Sequence, residues 1–163
     1  MSDIQEITPN KLPREIEKLL TPIKESKFEA FTIMFLGSAL KRLNITPETQ
    51  PELMRQVGVV LKQGAPNYWP ATIKEVDGRL HNHDYMAHQY LKQAVNDLLV
   101  FQQAAVDVKP YAQKLIDIVN GLKKDDMDHL TKMWLVKPFA EMEMLKEMVA
   151  VPETKTKSSA KAA

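Results

Sequence analysis

At 163 residues, with 44% hydrophobic and 26% charged side chains and a net charge of +1, the chain is expected to form one globular domain rather than a surface tuned throughout to nucleic acid. The absence of cysteine excludes disulfides and thiolate chemistry and fits a reducing compartment. The longest nearly uncharged apolar run, Ala30 to Leu40, is far short of the ~20 residues that span a bilayer, so a soluble, cytoplasmic protein with no membrane partner is expected.

The first ten residues, MSDIQEITPN, lack periodicity and the basic region of a signal peptide, and read as a flexible start. Pro13 suits a first helical turn, and Ile16, Leu19, Leu20 and Ile23 follow at helical spacing until Pro22 bends or ends the segment. A second helix is predicted over Lys24 to Leu43, with Phe28, Phe31, Phe35, Leu36, Ala39, Leu40 and Leu43 on one stripe. Its small residues Gly37, Ser38 and Ala39 would let a neighbouring helix approach closely. Thr49 and Glu52 have capping-box spacing, and a third helix takes Leu53, Val57, Val60 and Leu61 inward and stops at Gly64. GAPNYWP, residues 64–70, reads as a rigid loop. Ala71 to Val76 forms a turn or two of helix, closed by a turn at Asp77-Gly78.

Asn82 to Asp107 contains neither glycine nor proline and is long enough for a helix of about 39 Å. His88, Leu91, Val95, Leu98, Leu99, Ala105 and Val106 share one stripe, and a second apolar strip lies beside it. Such a helix is packed on two sides and belongs at the centre. Pro110 opens the next helix, with Tyr111, Leu115, Ile118, Val119 and Leu122 inward and Gly121 at its end. Asp125 is the predicted N-cap of a last helix that carries Met127, Leu130, Met133, Trp134, Phe139, Met142, Leu145, Met148 and Val149, kinked at Pro138. Beyond Pro152, three lysines and one glutamate give a polar tail of charge +2, predicted disordered, and leave −1 on the rest. No strand or repeat is visible. The expected fold is all-α: an irregular bundle of five to seven helices around the 82–107 helix, with residues 1–10 flexible, 11–150 a single helical domain, and 151–163 a disordered basic tail.

Little in this pattern carries catalysis. There is no P-loop, dinucleotide fingerprint or nucleophile elbow, and Ser38 sits in an apolar helix without an adjacent base. No cofactor and no small-molecule substrate is expected. The one histidine cluster admits a metal reading: were the central helix to begin a turn early, His81, Asp84 and His88 would project within one sector, with His83 pointing away. The plainer account makes Asn82 a cap, Asp84 a dipole partner and His88 a hydrogen-bonded side chain. Helix lengths separate this cluster by roughly 10 Å from Asp125, Asp126, Asp128 and His129, which read as a capping run.

Two features point to protein partners. Tyr68 and Trp69, held between prolines, offer a stiff aromatic contact, although such rings more often fold over a bundle end. The methionine-rich terminal helix, with Phe139, Met142, Met144 and Met148, suits an adaptable surface, although plain core filling also explains it. The leading expectation is therefore a non-enzymatic interaction module (adaptor, chaperone-like or assembly component) that binds a protein partner or its own copies. The alternatives are the metal-binding bundle and weak nucleic-acid association through Lys155, Lys157 and Lys161.

Overall fold

The computed structural model describes residues 11–29, 31–134 and 140–150, with backbone alone for 130–134 and 140. Among the described residues there are seven helices and no strand. They are α1 (Arg14–Glu25), α2 (Thr32–Arg42), α3 (Pro51–His81), α4 (Ala87–Gln103), α5 (Lys109–Asn120), α6 (Lys124–Trp134) and α7 (Ala140–Ala150). No helix among them is long and apolar enough to cross a membrane. The expected flexible start, the Pro138 kink and the basic tail all lie outside the described residues.

The described residues divide into two compact units, the first running up to Thr72 and including Asn96–Asp107. In this unit α1 packs on α2. Ile16, Leu20, Ile23, Ile33, Leu36, Leu61, Trp69, Leu98 and Phe101 are its most deeply buried large side chains. Three glycines bring its helices together. A Cβ at Gly37 would stand 2.9 Å from the Val100 side chain, at Gly58 it would overlap the Ala104 carbonyl oxygen, and at Gly64 it would overlap the Ile23 side chain. The expected close approach at Gly37 is thus made by α4.

The second unit comprises Ile73–Val95 and the described residues from Val108 onward. There α5 packs on α7, with Ala112, Leu115, Ile116 and Val119 buried on α5 and Met142, Leu145 and Met148 buried on α7. Leu80, Ala87 and Leu91 are also buried in this unit.

Several boundaries depart from the sequence reading. The first helix runs past Pro22 to Glu25 and the second begins at Thr32 instead of Lys24, and Phe28, placed on a helical stripe, instead meets the Tyr68 ring at 4.9 Å. The capping box at Thr49 is not formed. Gln50 accepts the first intrahelical bond from Met54 N–H, while the Thr49 hydroxyl donates to the Asn44 carbonyl at 2.6 Å. Gly64 and Asp77-Gly78 do not interrupt α3, and GAPNYWP is helical. Local propensity opposes this, because Pro66 and Pro70 each remove a backbone donor. Tertiary burial of Leu61, Ala65, Tyr68, Trp69 and Ile73 favours it, and both prolines stay on the exposed side, where solvent can satisfy the freed carbonyls.

The helix predicted over residues 82–107 forms but is shorter, 17 residues from Ala87 to Gln103. Both ends of the predicted span are turns closed by left-handed residues, His83 (φ 55°) and Ala105 (φ 65°). Asp84 N–H bonds the Arg79 carbonyl and His83 N–H reaches back to Leu80. Val106 N–H likewise bonds Phe101 and Ala105 N–H bonds Gln102. These are Schellman endings, and Ser26 and Asn44 close α1 and α2 in the same way. None of the five glycines has positive φ.

Candidate functional site

The second unit gathers all four histidines of the chain. His83 owes its position to the left-handed ending of α3, which turns its ring toward the first turn of α6. There its Nε2–H donates to Asp126 Oδ1. Asp126 is the third residue of α6, and its Oδ2 accepts the backbone N–H of Lys123 at 3.2 Å, the return half of a capping box. His81 Nδ1 lies 3.6 Å from the same oxygen, and its Nε2 lies 3.0 Å from Asp77. On the other side His83 stacks on His129, ring centroids 4.4 Å apart and 13° from parallel. The His129 Nε2 is buried without a hydrogen-bond partner among the described residues. His88 faces the buried Glu141 of α7 at 3.5 Å. The His83 hydrogen bond, followed by the Lys123 amide, holds the Asp126 carboxyl below its ordinary range against the opposing effect of burial.

This arrangement revises two expectations. The clusters predicted to lie apart are in contact, because the reversal at residues 82–86 replaces the helical turn on which the separation of lengths rested. The trio of the alternative metal reading does not converge: His81 pairs with Asp77 and Asp126, His88 pairs with Glu141, and Asp84 accepts Arg79 Nη1 at 2.8 Å and the Met86 amide at 2.7 Å. Among the described residues no group of three or more histidines and carboxylates is arranged to hold a metal ion. Asp125 is not the cap, since α6 starts at Lys124. His83, set aside as pointing away, is the ring that bonds Asp126.

The partner-binding residues also move. Tyr68 and Trp69 are 4% and 0% exposed and present no surface. They lie in an aromatic cluster of the first unit, where Trp69 meets Phe101 edge-on at 5.2 Å and Tyr68 stacks on Phe101 at 5.7 Å. The Tyr68 hydroxyl donates to the buried Asp97 at 2.7 Å. Burial first, and then the Asp97 charge, push the phenol well above its ordinary range. Met142 and Met148 are buried in the second unit and Met144 is half-buried, so core filling accounts for the first two. Phe139, Pro138 and the tail lysines Lys155, Lys157 and Lys161 lie outside the described residues.

Sequence reasoning missed a feature of the first unit. Arg55, Val59 and Lys62, at i, i+4 and i+7, form an exposed stripe of α3, along a groove of about 310 Å³ also lined by Met54, Gly58 and Ala104. Val59 is 45% exposed, and the phase that took Val57 and Val60 inward already pointed it outward. Arg55 forks onto Glu52 at 2.9 and 2.6 Å; Lys62 has no ion-pair partner among the described residues.

In comparisons with protein-family models, curated proteins and solved structures, the chain matches none.

Proposed function

We propose that the chain is a non-enzymatic, cytoplasmic interaction module that presents helical surface to protein partners. One observation carries this reading. On α2 the consecutive residues Met34 and Phe35 are 36% and 55% exposed, while Ile33 and Leu36 on either side are completely buried. The helix therefore has its core face fully satisfied and carries two further large apolar side chains outside it. Single exposed apolar residues are ordinary, but an exposed phenylalanine beside a methionine combines a rigid aromatic anchor with an adaptable neighbour. Burying such a pair against a partner removes apolar area from water at roughly 25 cal/mol per Å².

A photo-crosslinking amino acid at position 35, in the full chain in its native host, tests the reading. The expected result is one discrete, reproducible adduct, and loss of that complex with Phe35→Glu while the circular dichroism stays helical. Absence of any adduct, or a complex indifferent to Phe35→Glu, would overturn the assignment of this surface.

A further inference from the structure

We infer that the groove beside the Arg55–Val59–Lys62 stripe docks an acidic amphipathic helix of a protein partner, an inference that deepens the interaction-module reading and rests on it. The geometry of α3 sets the terms. Seven residues of helix separate Arg55 from Lys62, about 10.5 Å along the axis, with Val59 between them on the same face. A partner helix carrying carboxylates seven residues apart, with a large apolar side chain between them, repeats that spacing and lays its charges against the two cations.

The floor explains where the apolar side chain goes. Gly58 has no side chain, and Ala104 approaches so closely that any Cβ at position 58 would overlap its carbonyl. Small residues thus leave a depression beside Val59 over the buried Met54. At about 310 Å³ it is at the lower end of ligand-site volumes, matching one large side chain rather than a cofactor.

Charge selects the partner. Among the described residues the stripe has two cations and a single carboxylate partner: Glu52 takes both Arg55 nitrogens and also accepts Gln56 Nε2 at 3.4 Å, while Lys62 faces solvent with no ion-pair partner. A basic or neutral helix would leave Lys62 unpaired beside an apolar contact, whereas an acidic one forms a pair at the rim of a water-excluding patch. Rim charges of this kind set specificity and association rate more than affinity.

The test uses the full-length chain and two fluorescein-labelled helical peptides of about 15 residues, each with a leucine between charged residues at i and i+7. One carries glutamates and the other lysines. Fluorescence anisotropy should show the glutamate peptide binding about tenfold more tightly than the lysine peptide, with the gap narrowing in salt. Lys62→Glu should reverse the preference and Val59→Asp should abolish both interactions. Both positions are solvent-exposed, so circular dichroism should remain unchanged. Binding of neither peptide, or binding indifferent to Val59→Asp and Lys62→Glu, overturns the inference. Light scattering on the chain alone adds one more outcome: a dimer dispersed by Lys62→Glu would make the occupant a second copy and overturn the separate partner. Should the crosslink at position 35 persist while the groove variants change nothing, the docking site falls and the interaction reading stands.

Discussion

Each unit buries carboxylates, and each satisfies them with different chemistry. In the first unit Asp97 accepts a bond from Tyr68, a phenol kept neutral by its surroundings and bedded in the rings of Phe28, Trp69 and Phe101. In the second, Asp126 and Glu141 face imidazoles, His83, His81 and His88. One unit therefore pairs its buried carboxylate with a hydroxyl donor whose proton burial retains, and the other pairs its buried carboxylates with ring nitrogens.

The largest break in that comparison would come from Trp69→Ala. The indole is completely buried against Tyr68 and Phe101, and its loss should cost about 3–5 kcal/mol in denaturant unfolding. A loss below about 1 kcal/mol would show that the indole is not the packed centre of this cluster.

Tyr68→Phe keeps the ring and removes the donor to Asp97, a smaller change of about 1–3 kcal/mol. Because the folded phenol holds its proton above the ordinary tyrosine value, its contribution is complete below about pH 10 and declines as pH rises through the folded value. In alkaline titration, the absorbance difference between wild type and Tyr68→Phe should therefore develop only with unfolding. Ionisation of Tyr68 in the folded chain near pH 10 would contradict the burial argument.

Asp126→Asn probes the second unit, and its signature is a slope. The carboxyl is held below its ordinary range by His83 first and the Lys123 amide second. Its stabilising contribution is therefore present above the unfolded carboxylate value near ~4 and lost as pH falls through the lower folded value. The variant should be less stable at neutral pH and should show a shallower acid limb when unfolding free energy is followed downward from pH 5. Parallel acid limbs for the two proteins would remove Asp126 as the titrating group.

The all-α class and most core-facing residues were legible because burial follows helical phase: Ile16, Leu36, Leu61, Leu91, Leu98 and Leu115 lie inside as their spacing requires. Boundaries were less legible, and glycine is the reason. Local rules place glycine at left-handed helix ends, so Gly64 and Asp77-Gly78 read as stops and the uninterrupted run from Asn82 to Asp107 read as one helix. In this chain the left-handed ends are Ser26, Asn44, His83 and Ala105, while Gly37, Gly58 and Gly64 serve close helix approach. Misplacing the end of α3 then hid the histidine cluster, since only the reversal at His83 brings it to Asp126. The aromatic pair was misread for a related cause: Pro66 and Pro70 looked like the borders of a loop, and nothing local announces that Tyr68 and Trp69 are worth enough burial to keep the helix going.

The same reversal of roles yields the smallest prediction and the sharpest check on it. Ala105 holds φ 65°, a region that costs an L-residue with a Cβ roughly 1–2 kcal/mol and glycine almost nothing. Ala105→Gly should recover that strain less the extra freedom glycine gives the unfolded chain, a net stabilisation of about 0.5–1 kcal/mol. Gly78 is the converse case in the other unit: it sits inside α3, and a Cβ there meets nothing within 4 Å. Gly78→Ala should therefore stabilise by about the same amount through helix propensity alone. The two gains should add in the double variant, as the substitutions relieve unrelated terms. A destabilising Gly78→Ala would mean that α3 does not run through that position as one helix, and the histidine cluster built on its far end would have to be redrawn.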